Sequence, residues 1–350
     1  MHIGEVWSDV PPLPDVRPGS GDLYVRFPTL SSAERTRRHL AGANFEVWSY
    51  PDNPLLIAMP GVDALTALHC LVDVSTPPER ADTLAVLRPS GAGFDSIDKL
   101  SALSIEHLCN RLSANWLIDL LRRQKVSSVF QPIVAAGDTK TVYGYEVLLR
   151  ARHDGEVVNT SRMLAIAESA HIMAQVDALG MQTAFATAAN AKLKGMLFVN
   201  CSPAHMYDPY TRVTEAASYC RRLGLEPQQV VLEVVETEKN DREHLRAFML
   251  ACRKHGFLVA LDDLGSGYSS LTVLTELHPN ILKFDRDLVH AIDTDAYRAL
   301  IVNRLTEASR VLGLATVVEG VETQAELTWA ASNGATYVQG NFIGKPSPLD

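Results

Sequence analysis

Beyond residue 126 the chain alternates short apolar runs with longer amphipathic stretches. The runs are MLFVN (196–200), VVLEV (230–234), LVALDD (258–263), ILKFD (281–285), ATVVEG (315–320) and YVQG (337–340). Between them lie segments of helical periodicity, among them DREHLRAFMLACRKHG (241–256) and YRALIVNRLTEASRVLG (297–313). Each of these two closes on a glycine, the residue that most easily takes the left-handed conformation ending a helix. Near-continuous apolar strands alternating with helices predict a parallel sheet buried on both faces. The span 126–350 suits a TIM-type (β/α)8 barrel better than an open doubly wound sheet, the competing reading of the pattern.

The text before residue 126 differs. Residues 1–22 are rich in Pro, Gly and Asp and read as an irregular arm. From Leu23, LYVRF, FEVWSY, PLLIAM and TLAVLR read as strands, SSAERTRRHLAG as a helix opened by a serine cap, and GVDALTALHCLV as a second helix. Over 101–125, Ile105, Leu108, Leu112, Trp116, Leu120 and Leu121 recur at helical spacing, which predicts one long amphipathic helix. The expected organisation is a small α/β module over 1–100, a linker helix over 101–125 and the barrel over 126–350. The module carries no catalytic constellation, and its position ahead of the barrel suggests a regulatory or sensory input.

Composition narrows the function. A net charge of −9 argues against a protein that holds DNA or RNA polymers through their phosphates. It does not oppose a nucleotide substrate, because metal ions neutralise phosphate inside an acidic pocket. Five scattered cysteines without a CxxC pair fit neither a disulfide framework nor a zinc ribbon. The N-terminus lacks the basic start and apolar run of a signal peptide, and no stretch is long enough to span a membrane. A cytoplasmic protein is expected.

The candidate chemistry lies at the strand ends. Each apolar run finishes in, or carries, an acid, an amide or a lysine: Asn200, Glu233, Asp262 with Asp263, Lys283 with Asp285, Glu319 and Gln339. An earlier strand, TVYGYEVLLR, carries Glu146 and Arg150. Singly, each has an ordinary reading, such as a strand-end cap or the first acid of a helix. In a barrel, however, the C-terminal strand ends meet at one mouth. Carboxylates crowded there repel one another and raise each other's pKa, and a divalent cluster relieves the repulsion. Oxygen ligands suit Mg²⁺ or Mn²⁺, and the absence of His from these ends argues against zinc.

These residues sit in segments that closely resemble the motifs of EAL domains. FQPIV (130–134), YGYEVLLR (143–150), VNCSP (199–203), LEVVE (232–236), LDDLGSGYSSL (261–271), LKFDR (282–286), VVEGVET (317–323) and QGNFIGKP (339–346) occur in the family's order. The naming triplet reads Glu-Val-Leu at 146–148, Leu264 stands for the usual phenylalanine and Ser266 for threonine. None of these changes removes a ligand position.

The resemblance implies a TIM-barrel phosphodiesterase that opens cyclic di-GMP to linear 5′-pGpG with two Mg²⁺ or Mn²⁺ ions. It further implies that Glu146, Asn200, Glu233 and Asp262 hold one ion, and Asp262, Asp263 and Glu319 the second. Lys283 would orient or deprotonate the attacking water. Arg150 would grip a phosphate, and Gln131, Asp285 and Gln339 are candidate substrate contacts. Glu236 would steady a loop at a homodimer contact; an acid opening a helix is its ordinary alternative. Two rival readings are a cyclic di-GMP receptor that does not hydrolyse and a scaffold for protein partners, which usually lose part of this ligand set. GSGYSS (265–270) lacks the lysine of a phosphate-binding P-loop and reads as the loop after its strand. No GG[DE]EF signature precedes the barrel, so the module does not resemble a cyclase.

Overall fold

The computed structural model describes residues 6–15, 18–95, 98–235, 242–264, 274 and 277–349. The chain divides into two compact units. One comprises residues 1–12, 124–158 and 173–350; the other comprises 13–123 and 159–172.

The second unit contains β1 (Ser20–Arg26), β2 (Trp48–Tyr50), β3 (Asn53–Asp63), β4 (Leu84–Arg88) and β5 (Leu103–Ser104) in an antiparallel sheet ordered β2-β3-β1-β4-β5. Alternation along the strands sorts the faces. Leu23, Val25, Ile57, Met59, Ala85 and Leu87 pack in one cluster with residues of helices Leu30–Gly42, Ala64–Val74 and Ile105–Ser113. Tyr24, Ala58 and Val86 face the other way. The first helix is capped by Thr29 rather than a serine. Ser32 N donates to Thr29 Oγ1 at 3.1 Å, while Ser32 Oγ accepts from Thr29 N at 3.3 Å. The single helix expected over 101–125 is two, Ile105–Ser113 and Asn115–Arg122, joined at Ala114. Segment 159–172 belongs to this unit as well, and His171 lies against His107 with ring centroids 4.4 Å apart.

The first unit is the barrel. Its strands are β6 (Val126–Ala135), β7 (Asp138–His153), β9 (Met196–Cys201), β10 (Val230–Val235), β11 (Leu258–Leu264), β12 (Ile281–Phe284), β13 (Ala315–Val318) and β14 (Tyr337–Gln339); two-residue β8 (Glu156–Val157) hangs on β7. The β6–β7 pairing closes the eight into a ring. Seven strands run parallel, but β6 runs against both β7 and β14, a departure from the all-parallel expectation. The reason is local: only Ala136 and Gly137 join β6 to β7, and so short a turn permits only an antiparallel pair. Helices Met173–Asn190, Pro209–Arg222, Arg242–His255, Ala296–Leu312 and Gln324–Ser332 connect the parallel strands. The two glycines expected to end helices, Gly256 and Gly313, have φ of 88° and 74°.

The described part of the N-terminal arm is largely irregular, as expected, yet it is packed into the barrel's outer core. Trp7 is 1% exposed and joins the barrel's outer core with Val6 and Val10. The buried guanidinium of Arg212 lies 5.4 Å from the Trp7 ring centre and donates to Asp9 Oδ1 at 2.6 Å. Gln175 Nε2 adds a bond to the Pro11 carbonyl at 3.2 Å. Replacing Trp7 with Ala should lower unfolding free energy by about 3 kcal/mol, the cost of emptying a buried aromatic site. An unchanged denaturation midpoint would refute this packing role.

In the other unit Glu79 bonds Arg35 Nη2 at 2.5 Å. That bond, with help from Thr76, holds the Glu79 carboxyl at about 2. A depressed pKa stabilises the fold above the ordinary glutamate range, and the contribution is lost as pH falls toward 2. Glu79→Gln should therefore cost about 1 kcal/mol at neutral pH, after allowance for solvent screening, and nothing near the lower limit. Chemical denaturation at several pH values checks the trend.

Candidate functional site

The site is the storey above the barrel's interior packing layer. Ile133, Phe198, Val231, Ala260, Ile281 and Val317 form one buried cluster inside the ring, with Tyr143 and Tyr337 stacked beside it at 3.9 Å. Side chains alternate along a strand, so the next inward residue lies two positions on. From Phe198 that is Asn200, from Val231 Glu233, from Ala260 Asp262, and from Ile281 Lys283. Val317 likewise leads to Glu319, and Tyr337 to Gln339. On β6, which runs the other way, the step reverses and Ile133 leads back to Gln131. On β7 a bulge intervenes: Ile133 pairs with Gly144 and Val134 with Val142, so Glu146 comes three positions after Tyr143.

A second bulge explains the paired aspartates. On β11, Leu261 pairs with Leu282 and Leu264 with Phe284, so two residues oppose the single Lys283. Asp263 takes a left-handed φ of 54°, and its N–H donates to Asp262 Oδ1 at 3.0 Å. Without the bulge, consecutive carboxylates would point to opposite faces. With it, Asp262, Asp263 and Glu319 bring oxygens within 4.8 Å of one another.

Lys283 stands at the centre. Its Nζ, on a side chain only 1% exposed, lies 2.5 Å from Glu233, 2.6 Å from Glu319, 3.0 Å from Asp262 and 3.9 Å from Glu146. Burial pulls the ammonium's pKa down, but the surrounding carboxylates outweigh it and hold the group well above the usual lysine range. Burial has the upper hand over Lys283 at Glu233 and Glu319, whose carboxyls are pushed well up. Burial and the neighbours Asp262 and Asp285 raise Asp263 to about 6. Glu233 is wholly buried, and its Oε2 has no hydrogen-bond donor among the described residues. An orphaned buried carboxylate oxygen among hard oxygen donors fits a cation.

An amide chain supports the ring on its β14 side. Asn200 Nδ2 donates to Glu146 Oε1 at 3.3 Å, and Gln339 Nε2 to Glu146 Oε2 at 2.5 Å. Gln339 Nε2 also reaches Gln131 Oε1 at 3.1 Å, and Gln131 Nε2 bonds the Gly344 carbonyl at 3.1 Å. Gly340 is required there, since a Cβ would lie 2.2 Å from the Val321 carbonyl oxygen. A mouth pocket of about 220 Å³ opens beside this chain, lined by Gln131, Glu146, Glu319 and Gln339 together with Arg286, Glu322 and Asn341.

The last three went unassigned in sequence. Arg286 and Glu322 form an ion pair at 2.8 Å and stand just past strand ends, in the LKFDR and VVEGVET segments. Arg150 lies four residues beyond Glu146 and donates to the Leu149 carbonyl at 2.9 Å. Asp285 caps the short helix Arg286–Val289, accepting from Asp287 N at 2.7 Å. Glu236 and the 265–270 loop fall outside the described residues.

The chain is similar in sequence and fold to other proteins. The sequence is 31% identical over 274 residues to the cyclic di-GMP phosphodiesterase PdeB of Shewanella oneidensis, a match covering 76% of this chain and 32% of that protein. The chain spans less than half of three further relatives in Escherichia coli: 46%, 46% and 29% of their lengths. The PaMucR phosphodiesterase in complex with c-di-GMP superposes with a TM-score of 0.58 at 27% identity, covering 66% of this chain and 96% of that one. Bacillus subtilis YkuI, solved with substrate c-di-GMP and calcium, gives 0.58 at 26%, covering 67% and 59%. The EAL domain pattern matches residues 114–346, two-thirds of the sequence, and with the closed barrel and its acidic ring this places the chain in the EAL family.

Proposed function

We propose that this chain is a metal-dependent phosphodiesterase that hydrolyses cyclic di-GMP to linear 5′-pGpG. The observation that carries the reading is the charge imbalance of the ring. Five carboxylates, Glu146, Glu233, Asp262, Asp263 and Glu319, face one ammonium, Lys283, leaving a formal charge of −4. Two divalent cations carry the opposite charge. Glu146, Asn200, Glu233 and Asp262 would hold one Mg²⁺ or Mn²⁺ ion, and Asp262, Asp263 and Glu319 the other. When bound, such ions polarise a phosphate and lower the pKa of water.

The chain's own groups then divide the work. The Lys283 ammonium, fixed between Glu233 and Glu319, orients the attacking water and meets developing negative charge. Gln339 and Asn200 hold Glu146 in one orientation from both of its oxygens. Arg150 supplies a planar fork for the second phosphate, and Gln131, Gln339 and Asp285 contact the nucleotide. Retention of the full ligand set favours hydrolysis over the receptor and scaffold readings.

We further propose a homodimer through the barrel near Glu236, a cytoplasmic location and a regulatory role for the front unit. No helix of the described residues is long and apolar enough to cross a membrane, and the five cysteines are unbridged.

Purified full chain incubated with cyclic di-GMP and Mg²⁺ or Mn²⁺ should yield pGpG, resolved by chromatography. Chelation should abolish it, and Glu146→Ala should lower turnover by about 10²–10³. No product despite metal-supported binding would move the protein to the receptor class.

Metal binding can be read without turnover. Mn²⁺ should raise the melting temperature in a saturable way. Asp263→Asn should weaken apparent metal affinity about tenfold or more while keeping the fold, because Asn tolerates the left-handed φ of 54°. An undiminished Mn²⁺ shift in this variant would remove Asp263 from the ligand set.

A further inference from the structure

The second face of the front unit's sheet is the place that the barrel chemistry leaves unexplained. Helices cover the opposite face. Here Tyr24, Ala58 and Val86 are buried under Tyr50 and Phe94 instead. Phe94 comes from the loop after β4, and that loop is pinned. Asp22, itself buried, accepts from Gly91 N at 2.8 Å through one oxygen and from Gly61 N at 2.9 Å through the other. Arg88 bridges to buried Asp98 at 3.2 Å and to Asp95 at 3.7 Å. Asp95 and Asp98 cap each other's N–H groups at 2.7 and 3.1 Å. Residues 91–95 are thereby held over the sheet, and a hollow of about 290 Å³ lies between Phe94 and the strands.

The lining of this hollow is chemically mixed in a particular way. Tyr24 and Phe94 present an aromatic pair with centroids 5.2 Å apart, and Val86 floors the space between strands. Arg26, from β1, and Lys99, from helix Asp98–Ser101, line the same hollow, with Asn53 beside them. Neither cation has an ion-pair partner among the described residues, in a protein whose net charge is −9. Rings pack on aromatic pairs, and two uncommitted cations at one mouth select an anion. The volume lies at the small end of ligand sites, which excludes a dinucleotide.

We propose that this hollow binds a small planar aromatic anion, one or two fused rings bearing a carboxylate or phosphate. It makes the front unit a ligand-binding module independent of the barrel's chemistry.

Indole-3-carboxylate, indole and cyclohexanecarboxylate serve as probes of ring plus charge, ring alone and charge alone. Titrated into the full chain and followed by NMR, indole-3-carboxylate should bind saturably with a Kd of about a millimolar or below, shifting resonances of Tyr24, Val86 and Phe94. The other two should bind about tenfold more weakly. The double variant Arg26→Gln, Lys99→Gln changes two exposed side chains, so the fold should survive, as an unchanged melting temperature would verify. It should weaken indole-3-carboxylate about tenfold and leave indole unaffected. Absence of saturable binding by all three probes, shifts mapping away from the hollow, or equal affinity in the double variant would overturn the proposal.

Discussion

Like-charge repulsion among carboxylates in a closed ring is the constraint around which this barrel is organised. The two-residue repeat of each strand lifts one polar group above the apolar interior layer, and closure of the ring makes those groups neighbours. An ammonium among them offsets part of the repulsion. Lys283 is almost fully enclosed and touches four carboxylates contributed by β7, β10, β11 and the end of β13. Buried charge survives only when paired, and in this mouth the carboxylates outnumber the single ammonium. The two bulges serve the same end. One brings Glu146 into the ring, and the other turns two consecutive aspartates toward one point.

Much of this was legible in the residues because the relevant signal is local. Runs such as MLFVN and VVLEV state both a buried strand and the polar group that crowns it. The antiparallel β6 was less legible. Its reversal depends on a two-residue turn at Ala136–Gly137 inside text that otherwise reads as another strand. The positive φ of Asp263 is likewise a register effect, set by how β11 pairs with β12 rather than by composition. Arg286 and Glu322 join the mouth through positions one step past their strands, where pattern alone does not separate pocket residues from loop residues.

The front of the chain shows the limit of periodicity in another way. Trp7 lies in a segment whose Pro and Asp content reads as an irregular arm, yet one indole and one aspartate match an aromatic and cationic socket on the helix Pro209–Arg222. Complementarity across some two hundred residues of sequence leaves no local trace. The same holds for segment 159–172, whose helical pattern gives no hint that it packs with residues 13–123.

The chain passes between its two units four times, at residues 12/13, 123/124, 158/159 and 172/173. Such interlacing bears on how a protein of this kind can be recombined. A bead on a string can be traded by one crossover in the gene, whereas here a donor unit would need to arrive with its matching insert between β8 and β9, and an anchor like Trp7 would have to be retained. Exchange of this front unit by recombination therefore takes more than a single crossover, because its residues come from two separate stretches of the chain.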